Sequence, residues 1–263
     1  MHQTELDRRS DFALALIREA GALALDYFRR VETLTISSKG LQDVVSEADV
    51  AVEKLIRARL AETFPDDAFF GEESGRSEFR TGQGIWVVDP IDGTQPFVCG
   101  MSSWCISIAF VEGGVNRMGF VYAPARDELF VGGAGRGATL NGQPIRVRSA
   151  ASVKEGLVAT GYSTRRPPSE LLPVFERLLE AGGMFYRDGS GALSLAYVAA
   201  GRLIGYVESH INSYDCLGAM AVIEGAGGEV SDFLAGDSLF VGNALVAASP
   251  ELMPSLQDIA RYG

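Results

Sequence analysis

An apolar, β-branched and aromatic run, Ile85-Trp86-Val87-Val88, leads directly into Asp89-Pro90-Ile91-Asp92-Gly93-Thr94. The run reads as a buried strand that stops at Pro90, because proline donates no N–H to a ladder and holds the preceding residue in extended geometry. Two aspartates therefore stand at a strand's carboxyl end. Gly93 permits a positive φ or a close backbone approach, Thr94 can cap a following helix, and Pro96 suits that helix's first turn. Free N–H groups at such a helix start would face a bound anion. Carboxylates cannot neutralise a phosphate, which is itself negative, so the arrangement makes chemical sense with divalent cations between the like charges. Magnesium, a hard oxygen-seeking ion, is the natural choice.

The flanking sequence supplies more acidic groups. Ser46 followed by Asp49 forms a capping-box pattern opening a helix through Val52, Leu55, Ile56 and Leu60, which Pro65-Asp66-Asp67 ends. Ala68-Phe69-Phe70 then runs into Gly71-Glu72-Glu73-Ser74-Gly75, paired glutamates bracketed by glycines, as suits a flexible carboxylate arm. At the start of the chain, Phe12, Leu16, Ala20, Leu23 and Phe28 recur at helical spacing behind Glu5, Asp7, Arg8 and Arg9, which reads as an amphipathic helix and not as a secretory leader. Stretches from Cys105 to Glu112 and Arg117 to Tyr122, split by Gly113-Gly114, predict an antiparallel hairpin, and strands at Glu128 to Val131 and Ile145 to Val147 flank the turn Asn141-Gly142. From Gly156 the rhythm changes. Strands at Gly156 to Thr160, Met184 to Arg187 and Leu203 to Glu208 alternate with helices from Ser169, from Ser190 to Ala200 and from Tyr214-Asp215 to Gly225. The pattern predicts one integrated catalytic unit: an N-terminal α+β lobe over residues 1–150 with an antiparallel sheet and most metal ligands, and a C-terminal α/β lobe over 151–263 that completes the site.

Composition excludes several classes. With 47% hydrophobic residues among 263, the chain can bury a large core. Its net charge of −11, from 23 basic and 34 acidic residues, argues against nucleic acid as a partner, although Arg165-Arg166 forms a local basic patch. No stretch predicts a membrane span. Cys99, Cys105 and Cys216 lack metal-type spacing and each has apolar neighbours, which reads as buried thiols in a reducing cytoplasm. His2 and His210 are the only histidines and no G-x-S-x-G elbow accompanies them, so a histidine-activated nucleophile is disfavoured.

Gly71-Glu72-Glu73-Ser74, Trp86 through Thr94, and Tyr214-Asp215-Cys216-Leu217-Gly218-Ala219 followed by Glu224-Gly225-Ala226-Gly227-Gly228 resemble, in order and spacing, the inositol monophosphatase family. The resemblance covers nearly the whole chain. It implies a five-layer αβαβα sugar-phosphatase fold and magnesium-dependent, lithium-sensitive hydrolysis of phosphate monoesters by a homodimer. Carried across by motif, a first metal would be held by Glu72, Asp89 and the Ile91 carbonyl, and a second by Asp89, Asp92 and Asp215. A third, weaker ion would again involve Glu72, giving two to three Mg²⁺ per site. Asp49 would pair with Thr94 to orient the attacking water, and the N–H groups of Gly93 and Thr94 would hold phosphate oxygens. Glu208, Ser190 and Gly191 fall where family members touch the substrate; the bland alternative for Glu208 is a solvated carboxylate at a strand end.

Departures from the family pattern bear on specificity. Gln95-Pro96-Phe97 fits no substrate subgroup cleanly, Tyr214 replaces a tryptophan, and Ser194 stands where many bacterial members place aspartate. The expected substrate is a small polyol phosphate, inositol 1-phosphate first. Histidinol phosphate is the alternative, and a regulatory binding protein retaining the phosphatase fold is the alternative of another class.

Overall fold

In the computed structural model, which describes residues 3–40, 43–80 and 82–261, the amphipathic N-terminal pattern becomes one long helix, α1 (Gln3–Arg29). His2 lies outside the described residues. A small hairpin follows, β1 (Ile36–Gly40) and β2 (Asp43–Ser46), then α2 (Glu47–Thr63), β3 (Ala68–Gly71), β4 (Gly75–Arg76), β5 (Ile85–Asp92) and the short α3 (Thr94–Val98). The predicted hairpin is β6 (Cys105–Glu112) and β7 (Val115–Ala123), continued by β8 (Glu128–Gly133), β9 (Gly137–Leu140) and β10 (Gln143–Pro144). The second half holds β11 (Leu157–Thr160), α4 (Pro168–Glu180), β12 (Met184–Tyr186), α5 (Gly191–Ala199), β13 (Gly205–Ile211) and α6 (Ser213–Gly225). It ends with β14 (Glu229–Val230), α7 (Ser238–Val241), β15 (Asn243–Ala248) and α8 (Met253–Ile259).

Strand alternation builds the layers. In the eight-stranded sheet, ordered β10-β9-β8-β7-β6-β5-β3-β4, Trp86, Val88, Ile106, Ile108 and Phe120 face Leu16, Ile17 and Ala20 of α1 and Val52, Ile56 and Leu60 of α2. Their strand neighbours Val87, Ala109 and Val121 point the other way, into a core with Leu193 of α5, Leu217 and Met220 of α6, and Tyr206 and Leu245 of the second sheet. That second sheet, ordered β12-β11-β13-β15-β14, buries Val158, Val207 and Val246 on its far side under Val174 and Leu178 of α4 and Leu256 and Ile259 of α8. Helix, sheet, helix, sheet, helix gives the five-layer αβαβα arrangement that the family resemblance implied.

Two local expectations need correction. Ile145 and Val147 are not in a strand: pairing ends with Pro144, and Val147 bonds instead to the carbonyl of Ala226 beyond α6. Cys99 is exposed at the end of α3, whereas Cys105 and Cys216 are buried free thiols as expected.

Candidate active site

In a regular strand, positions 89 and 92 would point to opposite faces, because side chains alternate. The ladder with β6 removes that conflict. Asp89 pairs with Ser107 and Asp92 with Cys105, so three steps on β5 are matched by two on β6. This bulge absorbs Pro90, whose missing N–H would otherwise break a ladder bond, and brings both carboxylates to one cleft. The strand therefore does not stop at Asp-Pro as the sequence suggested but runs through Asp92, buried along its whole length. Ile91 turns its side chain into the α1/α2 core, and its N–H donates to Asp89 Oδ1 at 2.9 Å.

Gly93, not Thr94, is the residue that caps α3. It adopts φ 95°, and a Cβ there would lie 2.7 Å from the Ser103 carbonyl oxygen, so glycine is required both by conformation and by space. Thr94 is thereby freed for another task. Its hydroxyl lies 3.1 Å from Asp49 Oδ1 and 3.1 Å from the Ile91 carbonyl oxygen. Asp49 is fully buried, and the predicted capping box fixes it: Oδ2 accepts the Ser46 N–H at 2.9 Å and the Ser46 hydroxyl at 2.6 Å, leaving Oδ1 for Thr94. Burial raises the Asp49 pKa, against the lowering effect of these hydrogen bonds.

The glutamate segment is not a free arm. Gly71 and Gly75 pair across a tight β3–β4 turn, and the N–H groups of Glu73 and Ser74 donate to the two carboxylate oxygens of Glu53, each at 2.8 Å. Glu53 is only 3% exposed on the inner face of α2. Sequence reasoning missed it, although a signal existed: Glu53 falls on the same helical stripe as Asp49, Val52, Ile56 and Leu60. A carboxylate on a buried stripe requires partners.

The anchored turn brings Glu72 to Asp89 of β5 and Asp215 of the first turn of α6, with one carboxylate oxygen from each lying within 4.8 Å of the others. The Asn212 side chain holds Asp215 Oδ2 at 3.0 Å in a second capping box. Crowding and burial raise the three aspartates of the cleft, Asp89, Asp92 and Asp215. Asp89 is pushed well above its ordinary range by desolvation and by the charges of Glu72, Asp92 and Asp215, and Asp215 is raised chiefly by burial. Asp92, raised to about 7, is desolvated and faces Asp215. An all-oxygen set of carboxylate donors fits a hard divalent cation such as Mg²⁺.

The structure brings Ser190 and Gly191 to the site, but against Asp92. The Ser190 hydroxyl donates to Asp92 Oδ2, as does the Ala192 N–H at 2.7 Å, while the Gly191 N–H meets Oδ1 at 3.3 Å. Asp92 thus sits at the start of α5 while lining the same cleft as Glu72, Asp89 and Asp215. Glu208 is not a solvated strand-end group. It is 6% exposed, lines the cleft, and is raised to about 8 by burial. His210 also lines the cleft, with Nε2 3.0 Å from the Val241 carbonyl oxygen, and Arg165 and Arg187 stand on its walls. The whole cleft encloses about 620 Å³.

A model of the inositol monophosphatase family matches residues 5–261. The chain belongs to that family. Among its relatives, the Nus factor SuhB of Haemophilus influenzae is 34% identical over 95% of this chain and 94% of that protein. The fructose-1,6-bisphosphatase/inositol-1-monophosphatase of Thermotoga maritima is 35% identical over 86% of this chain and 85% of that protein. Among solved structures, the extragenic suppressor protein suhB of Bartonella henselae superposes with a TM-score of 0.90 at 30% identity, covering 97% of this chain and 99% of that one. Inositol monophosphatase from Anabaena gives 0.83, also at 30% identity, covering 97% and 96%. Membership in this phosphatase family implies a small phosphorylated substrate, and the acidic cluster is one that could hold a metal ion. The Nus factor name among the inositol monophosphatase relatives leaves the expectation against nucleic acid without support. No helix among the described residues is long and apolar enough to cross a membrane.

Proposed function

We propose that the protein is a cytoplasmic, magnesium-dependent phosphomonoesterase acting on a small polyol phosphate, with inositol 1-phosphate the favoured substrate. The observation that carries this reading is the convergence of Glu72, Asp89 and Asp215 within 4.8 Å, beside Thr94 hydrogen-bonded to the buried Asp49. Glu72, Asp89, the Ile91 carbonyl, Asp92 and Asp215 would hold two to three Mg²⁺. Bound there, Mg²⁺ would offset the phosphate's charge and lower the pKa of an adjacent water.

The chain's own groups then have separate tasks. Thr94, aligned by Asp49, orients the attacking water in line with the scissile bond, and Glu72 faces the same water from the anchored turn. The N–H groups of Gly93 and Thr94 bind equatorial phosphate oxygens, where charge spreads in the transition state. Glu208, on the leaving-group side, meets the alcohol. No protein nucleophile is needed, in keeping with a lone histidine in the cleft that bonds to a backbone carbonyl.

The deciding experiment is phosphate release with and without Mg²⁺ on inositol 1-phosphate, histidinol phosphate, fructose 1,6-bisphosphate and adenosine 3′,5′-bisphosphate. Metal-dependent preference for inositol 1-phosphate is expected. A higher kcat/KM on histidinol phosphate would transfer the reading to that substrate, and no turnover on any would reject polyol phosphatase activity. A second reading, a regulatory role through binding partners, is favoured by relatives named Nus factors. Partner capture that survives Asp89→Asn, which disables the acidic cluster, would support it, and loss of capture with loss of activity would count against an independent role.

A further inference from the structure

Next to the acidic cluster the cleft continues into a smaller chamber of about 150 Å³, walled by Asp92, Asp215, Gly161, Gly191, Tyr206 and Glu208 among others. Tyr206 and Glu208 stand two apart on β13 and therefore share a face, and the Tyr206 hydroxyl donates to Glu208 Oε2 at 2.5 Å. Tyr206 is 1% exposed. The opposing backbone is shaped around this pair: a Cβ on Gly161 would fall 2.1 Å from Glu208 Oε2 and 2.6 Å from the Tyr206 hydroxyl, and one on Gly191 would fall 3.3 Å from that hydroxyl. Glycines at both positions leave the volume that the phenol and carboxyl occupy.

We propose that Tyr206 is a positioning residue for substrate specificity: it commits Oε2 of Glu208 and so presents Oε1 alone to a hydroxyl of the leaving alcohol. The proposal rests on the phosphatase reading and adds the means by which the alcohol is recognised. Among the described residues Oε1 receives no hydrogen bond. A hydroxyl both donates and accepts, so it suits Oε1 whether or not that oxygen carries a proton, whereas an ammonium suits only the ionised form. Burial holds the Tyr206 phenol well above its ordinary pKa, which keeps it a donor throughout the working range. Without the phenol, Glu208 could rotate and offer either oxygen, and the geometry that selects a polyol would be lost.

The test uses the Mg²⁺-loaded enzyme and two probes, inositol 1-phosphate and cyclohexyl phosphate, which has the same ring without its hydroxyls. The wild type should favour inositol 1-phosphate, and Tyr206→Phe, which keeps the ring, should reduce the ratio of the two kcat/KM values about tenfold, the scale of one hydrogen bond. Glu208→Gln should reduce it too, and adding Tyr206→Phe to Glu208→Gln should have little further effect, because the phenol acts through the carboxyl. If Tyr206→Phe does not fold, Gly161→Ala, which drives a methyl onto Oε2, should lower the same ratio. Equal losses on both probes, or an undiminished effect of Tyr206→Phe in the Glu208→Gln background, would overturn the proposal and leave the phosphatase reading standing. Equal wild-type turnover of both probes would remove hydroxyl recognition itself. Turnover of neither would reject the phosphatase reading and this inference with it.

Discussion

Replacing Glu53 by alanine should weaken both the fold and its hold on metal, although Glu53 is not in the acidic cluster. Its two oxygens accept the N–H groups of Glu73 and Ser74 at 2.8 Å each, and those bonds fix the turn that carries Glu72. Hydrogen bonds to a charged group contribute about 1.5–3 kcal/mol each. Ser74 is exposed, so water can take over part of its bond, and the sum falls to roughly 3 kcal/mol. For a chain of this size that corresponds to a fall in Tm of roughly 6–12 °C. If about 2 kcal/mol of the loss is spent undocking the turn, the Mg²⁺ concentration for half-maximal activity should rise by up to ~30-fold, since only the docked fraction presents Glu72 correctly. Differential scanning calorimetry and a Mg²⁺ titration of phosphate release measure the two effects, and Glu53→Gln, which keeps one acceptor, should be intermediate in both. A lower Tm with an unchanged Mg²⁺ requirement would refute the link between this anchor and Glu72; no change in either would refute the anchor.

Metal-free protein should lose stability as pH rises through neutrality. Asp89, Asp92, Asp215 and Glu208 all have folded pKa values above their ordinary ones, so the native state holds protons that the unfolded chain has released; their stabilising contribution is complete below about pH 4 and disappears by the folded values, about 7 for Asp92 and about 8 for Glu208. The Tm difference between samples in Mg²⁺ and in chelator should therefore widen from pH 5 to pH 8, and a constant difference would contradict the raised values. Thr94→Ala should lower kcat by roughly two to three orders of magnitude with little change in Tm, while Thr94→Ser should retain most activity; full activity in the alanine variant would remove Thr94 from the mechanism. Gly93→Ala should cost at least about 2 kcal/mol, because it combines a left-handed backbone with a 2.7 Å clash against the Ser103 carbonyl oxygen, and chemical denaturation would show it.

Much of the site was legible because its chemistry is local. The Ser46–Asp49 capping box, the helix it opens, and the acidic string after an apolar strand depend on neighbours within a few residues, and the structure contains them. The β6–β7 hairpin was readable from Gly113-Gly114 between two apolar runs. What followed Gly228 was not: β14, α7, β15 and α8 are short, and β15 takes its place by pairing with β13 and β14 at long range.

The sequence by itself determined which carboxylates exist and that strand, glycine turn and helix must follow one another at Asp89 to Thr94, since backbone rules for proline and glycine act locally. Only tertiary structure decided where those groups point. The two-for-three bulge against β6 put Asp89 and Asp92 on one side of a sheet, the buried Glu53 on α2 set the Glu72 turn, and α6 lying on that sheet delivered Asp215 from the other half of the chain. Burial then raised the pKa values of Asp89, Asp92 and Asp215 above the ordinary carboxylate range, because the cost of removing charge from water depends on what surrounds it in space, not on what adjoins it in sequence.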